Sequence, residues 1–342
     1  MKGFTSHLVV LVAALIVAMS VAAAAPEKPG LTIAVGGKTT LYYLPLTLAE
    51  RLGYFKEEGL EVEILDFPGG AKALQALIGG SADIVSGGFE HTIQMQAKGQ
   101  KVQAFVLQGN AALALGLVKG KFATYAGPQD LKGRTIGVTA PGSSTHTFLN
   151  QLLASVKLRP EDVSVVGVGT GATAVAAGRG GQIDAIANVE PAIVMLEKSG
   201  DIRVVHETFS DAGARAVYGG PVPSACLYAK QAFVQANPNT VQALTNAMVR
   251  ALRWLRKAAP DDVMKAIPPA YTLGDRAVYA AALERLRSVY SADGAFAPAG
   301  VELSYRMTVS SDASVRDAAA NIKLGDTWTN AFVERVPAAA RH

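Results

Sequence analysis

Residues 69–88 read GGAKALQALIGGSADIVSGG, and residues 170–189 read TGATAVAAGRGGQIDAIANV. In the first stretch Gly69-Gly70 opens a short helix with Leu74, Leu77 and Ile78 on one face. A glycine pair stops it, and Asp83 precedes the apolar run Ile84-Val85. The second stretch repeats this order without a gap: Gly70-Ala71, Gly79-Gly80 and Asp83 are matched by Gly171-Ala172, Gly180-Gly181 and Asp184. Further out, Thr32-Ile33 and Val35 are echoed by Thr135-Ile136 and Val138. Short apolar strands separated by helices are crossover units, and crossovers place their strands parallel. Two copies predict two similar βαβα lobes; the spacing is too long for a solenoid.

Upstream, residues 31–35 read as a strand, residues 44–52 as a helix stopped by Gly53, and residues 61–65 as the next strand. After Tyr218-Gly219-Gly220-Pro221 the grammar changes. Residues 224–228 read as one more strand. Asn237-Pro238 then opens a long helix with Val241, Leu244, Met248, Ala251, Leu252 and Leu255 along one side, and residues 275–290 are a further helix. The fold class expected is α/β: two lobes with mixed, mainly parallel sheets and a helical C-terminal tail that packs back on the first lobe. The chain is expected to cross near residues 119–125 and again near 218–223, and two crossings make a hinge. Residues 30–119 with 222–342 then form the first lobe, and 120–221 the second.

Composition narrows the function. Lys2 and His7 precede an uncharged run over residues 8–21, followed by the small residues Val21-Ala22-Ala23-Ala24-Ala25. That pattern is a secretory signal peptide, residues 1–25, cleaved near Ala23 to Ala25, and the run is shorter than the ~20 residues a membrane-spanning helix needs. A periplasmic protein is expected. The 342 residues carry 32 Lys+Arg against 28 Asp+Glu without basic blocks, so neither nucleic acid nor a membrane surface is a predicted partner. The one cysteine, Cys226, makes no internal disulfide and no metal cluster, and it lies far from the signal segment where a lipid anchor would need it. No cofactor and no metal is expected.

Several motifs in order resemble a known family. Residues 42–55 hold a proline, a helix and Gly53-Tyr54-Phe55, followed by Lys56-Glu57-Glu58-Gly59-Leu60-Glu61-Val62. Then come Gly79-Gly80-Ser81-Ala82-Asp83-Ile84, Asp130-Leu131-Lys132-Gly133-Arg134-Thr135-Ile136-Gly137-Val138 and Gly142-Ser143-Ser144-Thr145. Over roughly residues 31–260 the chain resembles the periplasmic binding proteins of nitrate, aliphatic sulfonate, taurine and thiamine-precursor ABC importers. The resemblance implies the type II periplasmic binding fold, a small anionic, carboxylated or sulfonated solute held between the lobes, a cognate permease in the inner membrane, a monomer and no enzymatic activity.

Ligands of open α/β sheets sit at the carboxyl ends of strands, where helix N-termini present free amides. That places the candidate site on four loops. Thr39, Thr40 and Tyr42 follow the first strand; Gly87, Gly88 and Phe89 follow the strand at 83–85, with the glycines for close approach and the ring as a wall. Gly142, Ser143, Ser144 and Thr145 follow the strand at 135–138 and start an apolar-periodic helix; their hydroxyls suit an anion or carbonyl oxygen, and equally an ordinary helix cap. Asn188 follows the strand at 183–187, and Tyr218 stands at the return crossing. Glu90 and Glu190 are both candidates to face the cleft, and Lys38 is the one basic residue of these loops, which argues against a fully charged sulfonate.

Two enzyme readings compete. Gly167-Val168-Gly169-Thr170-Gly171-Ala172 fits a dinucleotide fingerprint with Glu190 at the distance of a ribose-binding acid, yet a chain exported unfolded carries no dinucleotide. A thiamine-pyrimidine synthase of the same fold uses a cysteine-rich motif, and Cys226 stands alone.

Overall fold

The computed structural model describes residues 25–337, so the signal-peptide assignment lies outside the described residues. Strands β1 (Gly30–Val35), β2 (Glu61–Asp66), β3 (Ile84–Gly88) and β4 (Val102–Asn110) are followed by β5 (Ala114–Val118), β6 (Thr135–Val138), β7 (Ser164–Gly167), β8 (Ala185–Asn188), β9 (Ile202–Glu207) and β10 (Pro223–Lys230). They form two five-stranded sheets, β2-β1-β3-β10-β4 and β7-β6-β8-β5-β9. In the first, β1 runs parallel to β2 and β3 while β10 runs antiparallel to β3 and β4. In the second, β6 runs parallel to β7 and β8 while β5 runs antiparallel to β8 and β9.

The internal repeat is therefore structural. Helices α1 (Leu44–Arg51), α2 (Gly70–Gly79) and α3 (Glu90–Ala97) belong to the first lobe, and α4 (Ser144–Ser155), α5 (Gly171–Arg179), α6 (Ala192–Lys198) and α7 (Asp211–Tyr218) to the second. The paired aspartates explain their own recurrence. Asp83 accepts the Thr32 amide at 3.0 Å while its own amide donates to the Thr32 carbonyl at 3.1 Å. Asp184 does the same with Thr135 at 2.9 and 2.7 Å. Each carboxylate continues the ladder one residue before the strand proper begins, fixing the register between neighbouring parallel strands.

The first crossing lies elsewhere than residues 119–125. Chain passes from β4 to β5 through Ala111, Ala112 and Leu113, so residues 114–118 join the second sheet although the sequence reading assigns them to the first lobe. The apolar run through β4 and β5 is buried nearly throughout, and hydrophobicity alone does not say which sheet a buried strand enters. The return runs from Gly219, in the left-handed region at φ 85°, to Val222. The two crossings touch: the Ala111 amide donates to the Val222 carbonyl at 3.0 Å.

The tail consists chiefly of α8 (Pro238–Lys257), α9 (Arg276–Leu286) and α10 (Pro298–Ser311). Pro238 occupies the first turn of α8, and the predicted stripe from Val241 to Leu255 is buried against α1 and β4 of the first lobe. The rest of the tail corrects the expectation of a first-lobe partner alone. Helix α10 packs on both α3 and α4, and α9 reaches α6, so the tail touches both lobes. Arg285 of α9 makes the second link, donating to Glu190 at 3.0 Å and to Glu197 at 2.8 Å. Glu190 is 1 % exposed and also accepts the Val194 amide at 2.8 Å. Burial drives its carboxyl from the usual 4.5 up to about 7, against the pull of that amide and of Arg285.

Two predictions follow from these carboxylates. Asp184→Ala strands the Thr135 amide and should lower the unfolding free energy by about 1.5–3 kcal/mol, read from denaturant midpoints. Glu190 holds its proton more tightly in the folded than in the unfolded chain. Its stabilising contribution is therefore complete below about pH 4.5 and is lost as pH rises through about 7. Relative to wild type, Glu190→Gln should abolish a fall in stability on the order of 3 kcal/mol across that window, measured by thermal melts at several pH values.

Candidate functional site

The lobes meet along the carboxyl ends of β1 and β3 on one side and of β6 and β8 on the other. Hydrogen bonds across the seam include Leu41 N–H to the Glu190 carbonyl at 3.1 Å, Ala71 N–H to Ser143 Oγ at 2.9 Å, His91 Nε2 with the Gly142 carbonyl at 3.3 Å, and the Tyr42 hydroxyl with Ser144. Glycine allows the approach. A Cβ on Gly69 would lie 2.8 Å from the Ala140 Cβ and 3.1 Å from the Ala140 nitrogen, and one on Gly88 would lie 2.2 Å from Ser144 Oγ and 2.4 Å from Glu90 Oε1. At the strand carboxyl ends the seam encloses a cavity of about 20 Å³ bounded by Tyr42, Tyr43 and Gly70 of the first lobe and Ser143, Ser144 and Thr145 of the second. That is room for about one water molecule. Of the larger hollows, one of about 870 Å³ lies away from the seam beside Lys28, Glu61 and Asp83, and one of about 860 Å³ opens between the lobes, with α2 and α3 on one side and Gly142, His146 and α4 on the other.

The four predicted loops do converge, and their side chains divide by task. Tyr42 is buried at the seam with its hydroxyl bonded to Ser224 of β10. Ser144, at the first turn of α4, faces Gly88 and Glu90 across the seam. Ser143 accepts from Ala71, so it leaves α4 without a side-chain cap. Thr145 is occupied within its own loop, accepting the Thr139 amide at 3.0 Å and bonding the Thr139 hydroxyl at 2.9 Å. Gly142 takes φ 86°, its amide donating to His146 and its carbonyl facing His91.

Other candidates serve the frame. Thr40 donates to the Gly37 carbonyl at 2.8 Å and closes the turn after β1, while Thr39 lies opposite Gly171. Asn188 ties two loops of the second lobe, donating to the Gly169 carbonyl at 3.1 Å and accepting the Val189 amide at 2.9 Å. Phe89 is fully buried and stacks on Phe296 with ring centroids 5.5 Å apart, which makes it a core aromatic instead of a pocket wall. Gly87 lies against the ring of Tyr228, with no space for a Cβ. Tyr218 packs edge-on against Phe148 at 6.3 Å. Of the charged candidates, Glu190 turns to Arg285, and Lys38 pairs with Glu50 at 3.0 Å. Glu90 stays at the seam.

The sequence reading missed Tyr43, His91, Ser224 and Tyr228. His91 is fully buried, with Nδ1 2.9 Å from the Tyr228 hydroxyl. Burial holds the phenols of Tyr42, Tyr43, Tyr218 and Tyr228 and the thiol of Cys226 above their usual ranges, and the Glu90 carboxylate adds to the shift in every one. These groups are donors at neutral pH. The site can accept a polar molecule through hydroxyls, an imidazole, a carboxylate and the uncapped amides at the start of α4, and it lies between the two lobes.

The glycine-rich turn that mimics a dinucleotide fingerprint has a local explanation. A Cβ on Gly37 would lie 2.7 Å from Thr170 Oγ1, so residues 167–171 form part of the seam itself.

A protein from Bordetella bronchiseptica RB50 of known structure superposes with a TM-score of 0.88 at 49 % identity, covering 93 % of this chain and 99 % of that one. YtlA of Bacillus subtilis (strain 168), whose name gives it a binding role, is 26 % identical over 74 % of each chain. The taurine-binding periplasmic protein of Escherichia coli K12 is 26 % identical over 62 % of this chain and 65 % of its own. The 4-amino-5-hydroxymethyl-2-methylpyrimidine phosphate synthase of Schizosaccharomyces pombe is 29 % identical, over 51 % of this chain and 44 % of its own. Residues 40–262 match the model of a single family, and the chain belongs to that NMT1/THI5-like family.

Proposed function

We propose that the protein is the solute-binding component of an ABC importer, exported to the periplasm, where it captures a small organic molecule between its lobes and presents it to a membrane permease. The observation that carries this reading is the pair of like-wired lobes, joined by two adjacent crossings and meeting over buried polar groups at strand carboxyl ends. Such an arrangement couples binding to closure: a molecule that touches both lobes stabilises the closed form by its contacts to the second. The cavity of about 20 Å³ beside Tyr42 and Ser144 admits no organic solute, so the lobes part before a solute reaches these residues. Ser144 and Tyr42 are the first groups such a solute meets. No helix among the described residues is long and apolar enough to cross a membrane, in keeping with a mobile carrier. The binding reading is preferred to catalysis because the matched synthase shares only half of this chain and because Cys226 is fully buried within β10.

Two outcomes test the reading. Protein purified without denaturation and then unfolded should release a small molecule detectable by mass spectrometry. Re-adding that molecule at a hundredfold excess over its dissociation constant should stabilise the fold by about 2.7 kcal/mol without turnover. Release of nothing, with no stabilisation by a broad metabolite panel, or conversion of the molecule to product, would overturn it. For closure, Gly69→Ala sets a methyl against Ala140 and should hold the lobes apart. Its radius of gyration in solution scattering should stay larger than wild type at saturating ligand, with affinity reduced at least tenfold and the melting temperature of the ligand-free protein nearly unchanged.

A further inference from the structure

We infer that Glu90 is the selectivity residue of the site and that the transported solute carries a cationic, N–H-donating nitrogen received by this carboxylate. This rests on the solute-binding reading and narrows it to a chemical class.

Glu90 opens α3 at the carboxyl end of β3 and is 7 % exposed. Its Oε1 has no hydrogen-bond partner. The nearest cationic candidate, His91 Nε2, stands 3.8 Å away, beyond hydrogen-bonding reach, and that nitrogen is directed to the Gly142 carbonyl. Both basic residues near the seam are committed elsewhere: Lys38 to Glu50, and Arg285 to Glu190 and Glu197. No lysine or arginine lines the adjoining small cavity, which Ser144 separates from Glu90. A carboxylate oxygen withdrawn from water without a partner is costly for a fold to hold, and it persists where something else repays the desolvation.

The surroundings say what that something is. Ser144 Oγ of the second lobe and Glu90 Oε1 converge on the same point beside Gly88, so a group bonded to Glu90 is also at the lobe that must close over it. The phenol rings of Tyr42 and Tyr43 stand edge to face at 4.8 Å and bound the small cavity on the other side of Ser144. Aromatic faces favour a cation, and a carboxylate favours a donor. An inorganic anion or a simple alkanesulfonate offers Glu90 only repulsion. A protonated amine or amidinium-type nitrogen satisfies the orphaned oxygen and draws Ser144 toward it.

The test begins with the molecule released on unfolding the wild-type protein. Its composition should include a nitrogen protonated at neutral pH, and Glu90→Gln should bind it at least tenfold more weakly in calorimetric titration. A purely structural Glu90 would destabilise the ligand-free protein when replaced; here the isosteric amide removes an unpartnered charge, so ligand-free Glu90→Gln should melt at or above the wild-type temperature. A released molecule without such a nitrogen, or Glu90→Gln affinity within twofold of wild type, would overturn the inference while leaving solute binding intact. Should Glu90→Gln fail to fold, the composition of the released molecule decides alone. Release of nothing, with no stabilising compound found, sinks both readings.

Discussion

Each sheet is completed by a strand that arrives from the other lobe. β10 enters the first sheet between β3 and β4 only after the chain has built the second lobe, and β5 enters the second sheet directly from β4. Both insert antiparallel to strands on either side, so neither can slip without breaking two ladders. The two connections therefore lie side by side, with the Ala111–Val222 hydrogen bond between them. In the closure proposed above, the lobes bend about this pair, and the loops at the strand carboxyl ends approach or part as a set. The position of the site, the pairing of glycine with backbone across the seam and the reach of the tail to both lobes all presuppose that side-by-side placement.

Polar groups at the seam are satisfied mainly by partners on the same lobe or by the opposite face when the lobes meet. Tyr42 with Ser224, Tyr228 with His91 and Thr145 with Thr139 are bonded pairs. The Glu90 oxygen departs from that economy, and its charge is felt by four buried phenols and a thiol around it. In a low-dielectric surrounding such a charge acts at close range and with little screening. The hydroxyls around it stay protonated and available as donors or acceptors, while the carboxylate alone accepts without donating.

Much of the frame was legible because it rests on local signals. The repeated Asp83 and Asp184 mark the same bonded turn, Gly53 ends the first helix where expected, and the stripe on α8 is buried as periodicity requires. The boundary at residue 119 was not legible, because β4 and β5 form one apolar run and only pairing with distant strands assigns β5 to a sheet. The candidate loops converge, but their individual side chains were beyond reach of the sequence. Whether Thr145 points to solvent or to Thr139, or Phe89 to a pocket or to Phe296, depends on rotamers set by residues far along the chain. Tyr228 and Ser224 were missed because they sit on a strand that returns from the other lobe, with no turn signal to mark them.

The nesting of one lobe inside the other also orders assembly in time. The second sheet is drawn from the contiguous stretch 114–207, whereas the first lacks its fourth strand until residues 223–230 exist. In a chain that emerges from export N-terminus first, the inner lobe can complete a core while β3 and β4 of the outer one still present unpaired edges, with nearly every side chain of both strands destined for burial. Exposed apolar edges are templates for pairing with other chains. The interval before β10 docks is thus when newly exported copies of this protein are most prone to capture one another.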